Sequence, residues 1–252
     1  MSKDAALLAY TLRLGDNALI TAQRMVERVA SEPELEEELA NANFALDYLG
    51  QARMFYTYAG ELEGKGRTED DFAYLRDGQE FRNLLMVEQP NGHFGDSIVR
   101  QFLFESFYLL QLEALVTCGD QRLAEIAARA EKEIRYHLRH AAHWLVRLGD
   151  GSDESHERVQ QSLDDQWRFT SEFFAGDAVD AHIEERIDGP NLELIADTWR
   201  TKVAEILGEA TLKAPGDVVT KSAGRQGRHS EHLGFLIAEM QHLQRVHPGA
   251  TW

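Results

Sequence analysis

Proline occurs at only five positions in this chain of 252 residues: Pro33, Pro90, Pro190, Pro215 and Pro248. Proline ends or kinks a helix because it lacks a backbone N–H and its ring clashes with the preceding turn. The long stretches between these prolines carry apolar residues at helical spacing, and none has a convincing strand pattern. The sequence therefore predicts an all-α fold with the prolines at helix boundaries.

Periodicity and turn signals predict four long helices, over about 4–29, 31–60, 96–118 and 121–148. Further helices are predicted near 153–174, 191–212 and 230–246. Ser31 and Glu34 have the spacing of a capping box, with Pro33 in the first turn of the second helix. The turn-rich residues 61–95 predict a long crossover between the second and third helices, as in ferritin-like bundles.

The formal net charge of −17 argues against nucleic acid and against an anionic membrane surface as partners, because both need a basic face. It does not exclude an anionic small molecule in a local basic pocket. The single cysteine, Cys118, rules out an intrachain disulfide and is predicted to be a core residue. The chain shows no apolar leader and no run of about 18 apolar residues, so we expect a cytoplasmic location.

Each of the first four predicted helices carries a carboxylate within its apolar seam. A buried carboxylate is costly unless it is paired, so each of these residues needs a partner. Four inward-pointing carboxylates from four helices are the arrangement of di-iron and di-manganese bundles, which add a histidine one turn after a carboxylate. The four carboxylates are Asp16, Asp47, Glu105 and Glu133.

The metal-binding pattern is incomplete in this sequence. Gly50 and Tyr136 stand where the two histidines would be expected, although His137 still lies on the helix face of Glu133. We therefore predict a vestigial site that holds no metal and whose carboxylates are paired with His137 or a nearby arginine. A weak single-metal site and a working two-metal centre are the alternatives. The vestigial positions are Asp16, Asp47, Glu105, Glu133 and His137.

Six segments resemble the PaaC family, the non-catalytic ferritin-like subunits of phenylacetyl-CoA 1,2-epoxidases. They are Tyr10–Asn17, Leu46–Arg53, Phe81–Gly92, Arg135–Arg139, Glu231–Gly234 and Ala238–Gln241. The likeness covers nearly the whole chain. We therefore expect a single ferritin-like domain over 1–252, a four-helix bundle over about 4–148 with additional C-terminal helices over about 153–246.

The resemblance implies an accessory subunit that pairs with and stabilises a catalytic subunit of the same fold. That partner would carry the di-iron centre and receive electrons from NADPH through a separate reductase. The complex would insert one oxygen atom of O2 into the aromatic ring of phenylacetyl-CoA, a step of aerobic phenylacetate catabolism. No catalytic residue and no cofactor are expected in this chain, and the sequence leaves open whether the isolated chain forms a homodimer.

The resemblance also implies that two segments approach the CoA thioester. Arg82 would meet a CoA phosphate and Asn83 its amide groups; the alternative is that this loop only packs over the bundle. A basic stretch of Lys213, Lys221, Arg225 and Arg228 is either a solvated loop or part of the interface with the partner. The candidate substrate residues are Glu80, Phe81, Arg82, Asn83, Ala181, His182 and Ile183.

Two other functions stay open at the level of sequence: an independent di-metal carboxylate oxidase or oxygenase, and a ferritin-type storage protein. The missing second-helix histidine argues against the first. The long crossover and the additional C-terminal helices argue against the second. An apolar patch on one outer face would favour an accessory subunit instead, because large exposed apolar patches mark interaction surfaces.

Overall fold

The computed structural model describes residues 3–216 and 223–250, and within these ranges all regular structure is helical. The chain forms two compact units, Met1–Pro90 with Ala223–Trp252 (unit 1) and Asn91–Ser222 (unit 2). The predicted fold class, all-α and ferritin-like with additional C-terminal helices, is confirmed. A single domain over 1–252 stays a prediction.

Unit 1 is built on two long antiparallel helices. The amide of Asn41 donates to the carbonyl of Met25 at 2.7 Å, and the Tyr56 hydroxyl donates to Asp16 at 2.6 Å, which shows the antiparallel direction. The helices of unit 1 are α1 (Lys3–Val26), α2 (Leu35–Glu63), α3 (Glu69–Tyr74), α9 (Glu231–Met240) and α10 (His242–Val246), with 3-10 turns at Gly78–Glu80, Leu85–Glu88 and Gly224–Gln226.

The start of α2 differs from the prediction. Ser31 does not cap this helix, because its hydroxyl donates to the carbonyl of Arg28 at 2.9 Å. Glu34 is the N-cap residue and makes no side-chain capping bond. The helix ends at Gly64, whose φ of 67° lies in the left-handed region that glycine adopts without strain. The capping-box prediction was therefore wrong, and α2 starts four residues later than expected.

Unit 2 also contains two long antiparallel helices, α4 (Phe94–Leu115) and α5 (Gln121–Gly149). The ring of Phe94 meets that of Trp144 edge-on at 5.0 Å, and Arg135 pairs with Glu113 at 2.7 Å. The region predicted as one helix near 153–174 is a helix followed by a 3-10 turn, and the short helix after that turn was not predicted. These later elements are α6 (Asp153–Trp167), the turn Thr170–Phe174, α7 (Ala178–Ile187) and α8 (Leu192–Glu209).

Helical spacing in the sequence predicts that one apolar stripe of α2 faces the core, but among its members only Phe55 and Tyr56 are buried; the stripe is Leu35, Leu39, Ala42, Leu46, Leu49 and Phe55/Tyr56. Leu35, Leu39 and Leu46 are 67%, 57% and 64% exposed. Because α2 is apolar on two faces, spacing alone could not select the packed one. The buried residues are Asn41, Phe44, Ala45, Tyr48, Gln51, Ala52, Phe55, Tyr56, Tyr58 and Ala59.

Two other observations bear on the sequence predictions. Cys118 is buried, as predicted. No helix within the described ranges combines the length and the apolar character that a membrane span requires.

Candidate functional site: buried carboxylate clusters

Asp16 lies on α1 and is fully buried. The guanidinium of Arg76, from the segment after α3, pairs with both carboxylate oxygens, with Nη1 at 3.2 Å from Oδ2 and Nη2 against Oδ1. The Tyr56 hydroxyl donates to Oδ1 at 2.6 Å, and the backbone N–H of Arg82 donates to Oδ2 at 2.7 Å. The carboxylate of Asp16 is therefore hydrogen-bonded through both of its oxygens.

Arg76 is itself held in place by the crossover. Its Nε donates to the carbonyl of Phe72 at 2.7 Å, and its guanidinium lies 4.2 Å from the ring centre of Phe81. Burial lowers the pKa of Arg76, but the charge of Asp16 and the hydrogen bonds to it outweigh burial and raise the pKa above its ordinary value. Arg76 is thus a permanent countercharge for Asp16.

Tyr56 has a pKa well above its ordinary value, mainly because of burial and then because of the charge of Asp16. The phenol therefore keeps its proton and donates a hydrogen bond to the carboxylate. Asp47, the other vestigial position of unit 1, is half-buried on α2, next to the exposed Leu46. Asp16 and Asp47 thus lie in different environments, since Asp16 is inside the core.

Glu105 on α4 and His137 on α5 are both fully buried in unit 2. The Nδ1 atom of His137 lies 3.9 Å from Oε1 of Glu105. Glu133 lies at the edge of this core: its side chain is 20% exposed and lies 3.4 Å from Arg129 in an (i, i+4) pair. Its neighbour Ile134 is fully buried on α5. The role of Glu133 as a vestigial position stays a prediction.

These residues do not fit a di-iron centre. Residues 3–216 and 223–250 contain no group of three or more His, Cys, Asp or Glu side chains placed to hold a metal ion. A cation at Asp16 would have to displace Arg76, whose guanidinium already faces both carboxylate oxygens. Carboxylate-bridged metals need oxygens that face the ions rather than an arginine.

A second buried network, centred on Glu88, was not predicted. Its Oε2 accepts a hydrogen bond from the amide of Asn83 at 2.9 Å and lies 2.7 Å from Nδ1 of His229. Its Oε1 accepts from the backbone N–H of Ser230 at 2.6 Å. The other ring nitrogen of His229 lies 3.0 Å from the carbonyl of Phe81. Because both ring nitrogens face acceptors, the geometry favours the charged imidazolium, in which each nitrogen carries a proton.

The pKa of His229 agrees with this geometry. Burial lowers it, but the hydrogen bond and the charge of Glu88 outweigh burial and raise it above 6.5. Arg24 adds to the network by donating to the backbone carbonyls of Glu88 at 2.6 Å and His232 at 3.3 Å. These contacts tie the C-terminal segment of unit 1 to its crossover.

A sequence signal for this network existed. Glu88 follows the apolar run Leu84–Val87, so it is a carboxylate in an apolar stretch like the four vestigial positions. In a long helix the apolar spacing makes such a carboxylate stand out, whereas Glu88 lies in the crossover, which has no such spacing. Nothing in the sequence connects it to His229, which is 141 residues away.

The side chains of the first candidate substrate segment, residues 80–83, make hydrogen bonds or packing contacts within unit 1. Phe81 and Asn83 are fully buried, and Asn83 donates to Glu88. The guanidinium of Arg82 donates to the carbonyls of Gln79 at 2.6 Å and Phe81 at 2.7 Å. Glu80 is exposed, and its carboxylate accepts from the backbone of the preceding turn at 2.8 Å. Glu80 and the half-buried Arg82 are thus the members of this segment that reach its surface.

The second candidate segment lies on α7 in unit 2. Ala181 is exposed, His182 is half-buried and Ile183 is buried. The Nε2 atom of His182 is enclosed and has no hydrogen-bond partner in the part of the chain that the structure describes. The two candidate segments therefore belong to different units.

The basic stretch before α9 does not form a uniform solvated surface. Arg225 is buried, whereas Lys213 and Arg228 are exposed. Lys221 lies outside the described residues. The stretch therefore contributes to the core of unit 1 through at least one of its bases.

Two comparisons with known proteins find sequences similar to this chain. The phenylacetic acid catabolic protein family matches residues 1–252. The chain is also 46% identical over 246 residues to a protein of Escherichia coli (strain K12) that is named as one of the subunits of 1,2-phenylacetyl-CoA epoxidase. That alignment covers 98% of this chain and 99% of the relative.

Proposed function

The chain belongs to the phenylacetic acid catabolic protein family, and from that premise we propose that it is the accessory subunit of a phenylacetyl-CoA 1,2-epoxidase. In this role it pairs with a ferritin-like catalytic subunit, stabilises it and performs no redox chemistry itself. The catalytic subunit holds the di-iron centre, receives electrons from NADPH through a reductase and epoxidises the ring of phenylacetyl-CoA in the cytoplasm.

The observation that carries the accessory role is the ion pair between Arg76 and Asp16. Asp16 is one of the carboxylates that a di-metal bundle would use, and here an internal arginine neutralises it. A buried pair of this kind is a structural element, because removing either partner leaves an uncompensated charge in the core. The relative is named as a subunit of an epoxidase, which supports membership of such a complex.

The same proposal includes a direct approach to the CoA thioester. Arg82 and Glu80 in unit 1, and Ala181 and His182 in unit 2, are the candidate residues with atoms at or near the surface. Arg82 is the natural contact for a phosphate, since a guanidinium binds phosphate oxygens in a forked geometry. Glu80 would oppose an anion, so the contact with CoA is expected to be peripheral.

The test is elemental analysis of the full chain, purified alone after expression in iron-replete medium. We expect trace iron only, and we expect epoxidase activity to require the catalytic subunit in the same assay. A stoichiometric pair of irons per chain, with turnover of phenylacetyl-CoA by the isolated chain, would overturn the proposal and make this protein an independent di-metal oxygenase.

A further inference from the structure

The outer face of α2 carries an apolar stripe that is not fully covered by any of the residues that the structure describes. Leu35, Leu39 and Leu46 are 67%, 57% and 64% exposed, and Ala42 and Leu49 between and after them are half-buried. The spacing of four, three, four and three residues places all five on one side of the helix. We call these five residues the α2 leucine stripe.

The stripe is not needed for the packing of α2 within unit 1. The opposite face of the helix is already filled by large side chains such as Phe44, Tyr48 and Phe55, which are nearly or completely buried. A helix that is apolar on both faces is typical of one that is packed on both sides. Single exposed leucines are ordinary, whereas leucines aligned along one helix face mark an interaction surface.

The charges beside the stripe are acidic. Glu36, Glu38 and Asp47 border it. The one basic residue of α2, a helix that the structure describes throughout, is Arg53, which lies on the same side of the helix four residues after the last leucine of the stripe. Arg53 lies 3.1 Å from Glu69 in an exposed pair. A complementary occupant therefore presents an apolar helix face bordered by lysine or arginine, because opposite potentials face each other across specific interfaces.

A second copy of this chain does not satisfy that requirement. A two-fold antiparallel pairing that sets Leu39 opposite Leu46 brings the same flank of both helices together, so Glu36 of one copy lies beside Asp47 of the other. The two-fold axis repeats this contact, so like charges meet twice. The net charge of −17 adds further repulsion between copies.

We propose that the α2 leucine stripe is the surface on which the catalytic subunit docks, through an apolar helix face bordered by basic residues. This inference rests on the proposed accessory function and adds to it the surface and the chemistry of the partner. Burial of aligned leucines supplies the affinity, and the acidic border favours the correct partner and orients it.

The experiment measures the affinity of the full chain for the catalytic subunit by titration calorimetry. The variant Leu39→Glu/Leu46→Glu places two charges in the stripe and is expected to raise the Kd at least about 100-fold. The matched control is Leu194→Glu/Leu243→Glu, because these leucines are 68% and 51% exposed on other helices. The control is expected to bind within about threefold of the unmodified chain.

A second variant tests the acidic border. Glu36→Lys/Glu38→Lys is expected to raise the Kd about tenfold at low salt, with a smaller effect at high salt because ions screen exposed charges. Both glutamates lie in the first turn of α2, so circular dichroism and thermal unfolding are recorded to show that each variant remains folded.

The outcomes separate the two proposals. If the unmodified chain does not bind the catalytic subunit, the accessory function fails and this inference fails with it. If the unmodified chain and the stripe variant bind equally well, the stripe proposal alone is overturned. If the unmodified chain forms a homodimer that the stripe variant abolishes, the occupant is a second copy and the proposed partner is wrong.

Discussion

Asp16 in unit 1 and Glu105 in unit 2 are both fully buried carboxylates on long helices, but they differ in what faces them. Asp16 meets the guanidinium of Arg76, which is charged at every physiological pH. Glu105 lies 3.9 Å from the imidazole of His137, a group whose charge depends on its surroundings. The comparison teaches that a charge in an apolar seam does not by itself reveal which partner stabilises it.

The difference also bears on function. A carboxylate that an arginine engages through both oxygens is a structural group, because its oxygens face a guanidinium rather than a metal ion. In unit 1 the crossover supplies that arginine, so the crossover both closes the core over α1 and neutralises its acid. Unit 2 keeps a carboxylate and an imidazole side by side, and their distance exceeds that of a hydrogen bond.

The largest expected effect comes from neutralising Asp16. Asp16→Asn leaves the charge of Arg76 buried without its counterion, and we expect the free energy of unfolding to fall by about 3–5 kcal/mol. Glu105→Gln is the matched variant in unit 2, with an expected loss of about 1–2 kcal/mol because the imidazole of His137, 3.9 Å away, is not a permanent cation as Arg76 is. Urea unfolding followed by circular dichroism measures both.

A further variant sharpens this result. Asp16→Asn combined with Arg76→Met removes both charges, and we expect the double variant to recover part of the stability that Asp16→Asn loses. Equal losses for Asp16→Asn and Glu105→Gln would contradict the distinction between the two units.

The next effect concerns the charged pair of His229 and Glu88. His229→Gln is expected to lower the free energy of unfolding by about 1.5–3 kcal/mol, because it removes a hydrogen bond between charged groups. The pKa of His229 is raised in the folded state, so this stabilisation is fully present below the unfolded pKa of about 6.5. It is lost as the pH rises through the folded pKa.

The measurement is the difference in unfolding free energy between the unmodified chain and His229→Gln, from pH 6 upward. His143→Gln is the control, since His143 is exposed on α5. A difference for His229→Gln that stayed constant with rising pH would show that the imidazole does not carry the second proton.

A smaller effect is expected for Tyr56→Phe. The variant removes one hydrogen bond to Asp16 but leaves the pairing with Arg76 in place, so the expected loss is about 1 kcal/mol. Tyr136→Phe serves as the control, because Tyr136 is 53% exposed. A loss as large as that of Asp16→Asn would mean that Tyr56, and not Arg76, is the main partner of the carboxylate.

The smallest effect is expected where the missing histidine is restored. A Cβ atom at Gly50 would meet no atom within 4 Å, so Gly50→His should fold and change stability by less than about 1 kcal/mol. Because Arg76 still engages Asp16, we expect the iron content to stay at the level of the unmodified chain. Elemental analysis decides this, and stoichiometric iron or turnover by the purified variant would contradict the interpretation of the site as vestigial.

Much of the helical architecture could be predicted from the sequence, because helix periodicity and end signals are local. The bounds of α1, α4 and α5 were predicted to within about three residues. The division of the last predicted helix at Gln241 could not be foreseen, since its amide turns to the carbonyls of Ala73 and Arg76 at 3.0 Å. The short α7 was missed for the opposite reason, because its apolar pattern is too brief to recognise.

The sequence could predict some of the residues of the candidate site, but it could not predict which residues pair with one another. By itself, the sequence determined that acids interrupt the apolar spacing of the helices and that Gly50 and Tyr136 stand where the histidines of a di-metal site would be expected. Only the tertiary structure decided that Arg76, sixty residues from Asp16, is its partner and that Glu88 meets His229, 141 residues away. It also decided which face of α2 is buried, because helix packing selects one of two apolar faces and helical spacing does not.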